Sequence, residues 1–107
     1  MPFIVTITNV KPSGVDFFQK VEEHSSIAKT HYQFELGANE KYGCTRKPME
    51  WLDDNTTSVE VTYPNEEAMI AWKEYLYSNP EWVDANATKA RYNEANGIVT
   101  TVTKTTV

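Results

Sequence analysis

Cysteine is almost missing from this chain: Cys44 is the only one in 107 residues. An intramolecular disulfide is impossible, no CxxC redox or zinc motif exists, and a reducing, cytoplasmic setting is the expectation. Glycine is sparse as well. The four glycines are scattered, so neither GxGxxG nor GxxxxGKS/T occurs and a nucleotide cofactor has no support. Positive charge is in the minority, with 10 Lys and Arg against 15 Asp and Glu and a net charge of -5, a balance that repels phosphate backbones and anionic lipid. Long hydrophobic runs are lacking too. The opening Met1-Pro2-Phe3-Ile4-Val5 has no basic stretch ahead of it and breaks at Thr6, so neither a signal peptide nor a membrane span is expected. Neither nucleic acid nor membrane is therefore an expected partner, and the sequons at Asn55 and Asn86 read as chance matches.

What the chain does have is enough apolar residue, 40%, for one core, and its length leaves room for a single domain spanning residues 1–107. Residues 3–10 alternate Phe3, Val5 and Ile7 with Ile4, Thr6 and Thr8, the period of a strand, and Pro12-Ser13-Gly14 ends it. From Val15 to about Lys29 the period changes to that of a helix, with Phe17, Val21 and Ala28 on one face. Residues 30–43 are the least legible: Tyr32, Phe34 and Leu36 alternate like a strand, but Gly37-Ala38-Asn39-Glu40 has loop composition, so the segment reads as irregular. Residues 44–52 and 58–63 form an expected hairpin about Asp53-Asp54-Asn55-Thr56-Thr57, its first strand an edge or bulged at Pro48, which has no N–H. Asn65 is a good N-cap for a helix whose first turn holds Glu66 and Glu67 and whose core face is Ala68, Met69, Trp72, Tyr75 and Leu76. Asn79-Pro80-Glu81 starts another, expected from about 80 to 95 with Val83, Ala87 and Ala90 inward, and Gly97 stops it. Ile98 to Val107 is a Thr/Val-rich closing strand. On the helix after Asn65, Ile70 and Tyr77 lie opposite the Trp72 face, where burial is expected either under the following helix or against another subunit.

The order βαββαβ, with an extra helix before the last strand, predicts the ferredoxin-like α+β architecture, both helices on one face of a four-stranded antiparallel sheet. The other face is then bare. Side chains such as Ile4 or Phe3, Met49 or Trp51, Val59 or Tyr63 and the terminal valines are expected there, a larger apolar surface than a monomer usually shows. In its hairpin Asp53-Asp54-Asn55, in Ser58-Val59-Glu60-Val61-Thr62-Tyr63 running into Pro64-Asn65-Glu66-Glu67-Ala68 and Trp72, in Ser78-Asn79-Pro80-Glu81, and in Tyr92 ahead of Gly97-Ile98, the chain resembles the dimeric α+β barrel superfamily, which includes the antibiotic-biosynthesis monooxygenase-like domains. The resemblance covers most of residues 3–107. It implies a homodimer in which two sheets pack face to face as a barrel, the long last strand helping to bind the partner subunit, with a small pocket between helices and sheet in each protomer.

The candidate chemistry is thin. His24 and His31 are seven residues apart, too far along a helix axis to share a metal, and HExxH is absent, so no metal site is expected. His24 reads as a boundary residue. His31, beside Tyr32 and Phe34 in the irregular segment, is the one weak catalytic candidate, placed where this topology can overhang a pocket mouth. Trp51, Tyr63 and Trp72 are candidates to line an aromatic pocket with His31 and Tyr32, against the plainer reading that they are core. Cys44 with His31 makes a conceivable nucleophile pair, though nothing orients it and a structural cysteine is the default. The expected function is binding or oxidation of a small apolar or aromatic molecule by a homodimer without a bound cofactor, His31 or Tyr32 handling protons. The alternative is a non-catalytic structural or regulatory dimer with no functional pocket. A sheet-faced RNA binder is opposed by the negative charge and by Ser58 to Tyr63, which lacks the basic-aromatic pattern.

Overall fold

A computed structural model describes all 107 residues. Strand β1 is Phe3–Val10, helix α1 Ser25–Tyr42, β2 Thr45–Arg46, β3 Glu50–Asp53, β4 Thr56–Tyr63, α2 Glu66–Tyr77, α3 Pro80–Ala95 and β5 Val99–Thr106. The antiparallel sheet runs β2-β4-β1-β5, with β3 also paired to β4. The edge row is thus in two pieces. Lys47-Pro48-Met49 separates β2 from β3, as the missing N–H of Pro48 requires. The element order and topology are those of a ferredoxin-like fold.

Helix α2 starts as its residues dictate: the Asn65 side chain accepts from the Ala68 N–H at 2.8 Å, and Glu66 and Glu67 lie in the first turn. Helix α3 begins at Pro80 and closes on Gly97, whose φ of 71° lets the Ile98 N–H reach the Asn93 carbonyl at 2.9 Å. Its buried residues are Trp82 and Ala85; of the expected Val83, Ala87 and Ala90, Val83 packs against the helix core, Ala87 is half-buried and Ala90 is exposed.

The first helix is a correction. Residues 15–24 do not continue as a helix; they hold two short 3₁₀ turns, Phe18–Lys20 and Glu22–His24, and α1 runs through the segment that reads as irregular. Phe17 and Phe18 are both buried, and the extended backbone at Phe17 sends the two rings to different neighbours, Trp51 and the His24–Tyr92 pair. Adjacent positions on one helix face do not allow that. The buried residues of α1 are His31, Ala38 and Asn39, with Phe34 and Glu35 half-buried beside them. Such a stripe has helical spacing but polar content, so hydrophobic periodicity misses it. Asn39 accepts from the Trp72 indole N–H at 2.8 Å, which fastens α1 to α2.

Phe3, Val5, Val59, Val61, Tyr63 and Met69 form the core between sheet and α2, and Ala38, Leu76 and Trp82 a second cluster among the helices. The bare sheet face differs from expectation. Cross-strand partners share a face, and the registers place Ile4, Thr6 and Thr8 there with Ser58, Glu60, Thr62, Thr101, Thr103 and Thr105. Phe3, Val59 and Tyr63 all point to the helices, and Trp51 shares their side through its pairing with Thr57. The helices have taken the apolar member of each alternating pair and left the threonines. Ile70 and Tyr77 are also not covered within the chain, at 46% and 60% exposure, because α3 packs chiefly against α1. Every residue of β5 is exposed, since no helix lies over it.

Candidate functional site

The layer between helices and sheet is filled unevenly. Along the inward face of β4, Val61 and Tyr63 pack into the core under α2, whereas Thr57 and Val59 look into a cavity of about 700 Å³. Helix α1 roofs it, the Pro48 break forms one wall, Phe17 and Phe18 another, and Lys89, Asn93 and Ile98 close the far end. That volume falls within the range of small-molecule sites.

His31 is the most constrained polar group on the wall. It is 7% exposed, its ring stacks on Trp82 at 5.3 Å between centroids, and both nitrogens are engaged. Nδ1 lies 3.0 Å from Glu35 Oε1, one helical turn on, and Nε2 lies 3.0 Å from Asn86 Oδ1 of α3. The carboxylate can only accept, so Nδ1 carries the hydrogen. The Asn86 amide serves either protonation state: its oxygen accepts from an imidazolium, and its NH₂, after rotation, donates to a neutral ring.

Four ionisable side chains meet here, His31, Glu35, Arg46 and Lys89. Burial by itself pushes the Glu35 carboxyl up, but the His31 hydrogen bond and the charges of His31, Lys89 and Arg46 outweigh it and leave the carboxyl below its ordinary value. Burial lowers the Lys89 ammonium, helped by Arg46 and opposed by Glu35. The Arg46 guanidinium lies over the Tyr32 ring at 5.0 Å, at the exposed rim of the cavity. No three His, Cys, Asp or Glu side chains converge as a metal site anywhere in the chain.

No family model matches this sequence, and no curated protein does either. Solved structures do match in shape. A NIPSNAP domain protein from Burkholderia xenovorans superposes with a TM-score of 0.61 at 16% identity, over 98% of this chain and 93% of that one. Rv0793 from Mycobacterium tuberculosis gives 0.59 at 13%, over 98% and 94%. SnoaB, a cofactor-independent oxygenase from Streptomyces nogalater, gives 0.52 at 9%, over 98% and 92%. The fold is that of small ferredoxin-like α+β domains. At these identities the likeness is one of fold, and the site must be read from its own residues.

Of the side chains singled out in the sequence, His31 and Tyr32 line the cavity. Trp51 is half exposed and touches it indirectly, its ring 5.7 Å from that of Phe17. Tyr63 and Trp72 pack edge to face at 5.6 Å in the core, and burial pushes the Tyr63 phenol well above its usual range. Cys44 is also outside the lining, and burial raises its thiol to about 11, so at neutral pH it is a thiol rather than a nucleophilic thiolate. His24 stacks on Phe18 at 4.9 Å, a boundary residue as expected. Glu35, Arg46, Asn86 and Lys89 were not legible as site residues. The one available signal was the spacing of His31 and Glu35, four apart, which gains meaning only once residues 30–43 are seen as helix.

Proposed function

We propose that this protein binds a small, largely apolar or aromatic molecule in the cavity between α1 and the sheet, and moves a proton at it through the His31–Glu35 pair. The observation that carries the reading is a buried histidine oriented by a carboxylate on the wall of a cavity this size. A carboxylate on Nδ1 fixes the imidazole's orientation and supports its protonated form, and Nε2 acts as the general base once the bound molecule takes the place of the Asn86 amide. Phe17, Phe18, Val59 and Ile98 supply an apolar seat that would strip water from the bound molecule. Removing a proton from such a desolvated molecule is the step with which oxidation by dioxygen without a bound cofactor can begin, and the fold shared with an oxygenase of that kind supports this reaction class.

Titration of quinols and aromatic acids into the protein, followed by tryptophan fluorescence and by oxygen uptake, tests the reading. The expected result is saturable quenching by at least one compound and a turnover that falls about 100-fold in His31→Ala. Binding and turnover unchanged in His31→Ala, or no binding by any compound, would overturn it.

We also infer that the working unit is a homodimer joined through the bare sheet face and β5. An eight-residue strand exposed on both faces, with its outer edge unpaired, is a surface proteins normally cover. Its outward threonine methyls, with Ile4 and Val99, offer β-branched packing against a second copy. Light scattering on a sizing column is expected to give twice the 12.2 kDa chain mass; a stable monomer at micromolar concentration would refute it.

A further inference from the structure

The cavity carries an electrostatic signature opposite to that of the chain. Four of the ten basic residues, Lys29, Arg46, Lys47 and Lys89, lie on its wall, but only one of the fifteen acidic residues, Glu35. Pairing inside the chain disposes of some of these charges. Lys47 is bound to Glu60 at 2.9 Å, and the Glu35 carboxylate is committed to His31. Arg46 and Lys89 are left without a carboxylate at salt-bridge distance and without a side-chain hydrogen bond, although both are half-buried. Arg46 has only the face of Tyr32 beneath it, which leaves its planar fork of donors free.

From this arrangement we infer that the cavity's natural ligand is an acid: a carboxylate or similarly ionised group seated between Arg46 and Lys89, its apolar ring lying toward Phe17 and Phe18. The inference rests on the reading of the cavity as a ligand site and adds the chemical class of the ligand. A half-buried cation without a partner is unfavourable; an incoming anion supplies the missing partner and gains a charge-assisted hydrogen bond in a partly water-excluded site. The lowered Lys89 ammonium points the same way, because a bound anion would raise it again. Glu35 does not occupy that place. It sits on the His31 side, where it would direct the acid group away from itself and toward the two cations.

The test compares naphthoic acid with naphthylmethanol, a neutral molecule of nearly the same shape, by isothermal titration against the full chain. The acid is expected to bind about tenfold more tightly, and more weakly as salt is raised. Arg46→Met and Lys89→Met should each weaken the acid about tenfold and change the alcohol by less than about twofold. Arg46→Lys, which keeps the charge and is the milder change should Arg46→Met fold poorly, should retain most of the acid's affinity. Equal binding of acid and alcohol, or acid binding indifferent to both methionine substitutions, would overturn the inference and leave the cavity reading standing. Binding of neither compound would overturn both.

Discussion

Phe18→Ala is expected to remove about 3–4 kcal/mol of unfolding free energy, out of the roughly 5–15 kcal/mol that a domain has in total. Phe18 is 1% exposed and belongs to a three-ring assembly: His24 stacks on it at 4.9 Å and Tyr92 meets it edge on at 5.6 Å. That assembly is what ties the 3₁₀ turns to α3, with one further link from the Tyr92 hydroxyl, which donates to the Asp16 carbonyl at 2.6 Å. Truncation leaves a space that cannot collapse, because the other side of the ring is already cavity. The unfolding midpoint should fall by more than about 10 °C. Tyr92→Phe is the control, since it removes only the hydroxyl bond and should cost about 1 kcal/mol. Ligand affinity should fall with Phe18→Ala and hold with Tyr92→Phe. A loss under about 1 kcal/mol in Phe18→Ala would mean that the rings are not packed as described.

The elements differ in how openly the sequence displays them, and the difference has a physical source. Strand β1, the hairpin and helices α2 and α3 are governed by local signals: alternation in Phe3 to Val10, the missing N–H of Pro48, the Asn65 side chain, proline at position 80. Each acts within a few residues of itself. Helix α1 has none of these at its start, where the His24 side chain makes no capping bond, and Gly37 lies inside it. Its stop signal, Gly43 in the left-handed region with the Cys44 N–H bonded to the Asn39 carbonyl at 2.8 Å, closes a helix whose body does not look amphipathic. The body fails that test because its inner face has two duties. Ala38 and Phe34 pack, but His31, Glu35 and Asn39 face a cavity and neighbouring helices through hydrogen bonds. A site built on a helix interior replaces the very residues by which the helix would be recognised. The same reasoning explains Arg46 and Lys89. Each lies on an element that reads correctly, yet only the fold brings them, about forty residues apart in sequence, to one wall. The bare sheet face is the reverse case, where alternation was legible but its assignment to inside and outside was not, because threonine is at home on either face of a strand.

Glu35→Ala is the second large change, expected to cost about 2–3 kcal/mol at neutral pH. It leaves His31 Nδ1 without its acceptor and removes the only negative charge facing Lys89 and Arg46. The sign of the pH dependence follows from the direction of the shift. Because the folded protein holds the Glu35 carboxyl below its ordinary value of 4.5, the unfolded chain binds that proton more readily. The stabilisation is complete above the unfolded value and disappears as pH falls through the folded one, so the difference between the parent protein and Glu35→Ala should narrow on acidification. Lys89 behaves oppositely: burial disfavours its ammonium, so at neutral pH the folded state bears a penalty that Lys89→Met relieves, a gain of about 1 kcal/mol. In the Glu35→Ala background the gain should be larger, since the ammonium has there lost the attraction that partly offset its burial. Urea unfolding of the four proteins at neutral and acid pH measures this cycle. A coupling smaller than about 0.5 kcal/mol would show that the two groups act independently. A coupling of the expected sign would show that Glu35 partly offsets the burial of Lys89, and a gain in Lys89→Met alone would show that this cation is held in place at a cost to stability, as expected of a charge kept for a ligand.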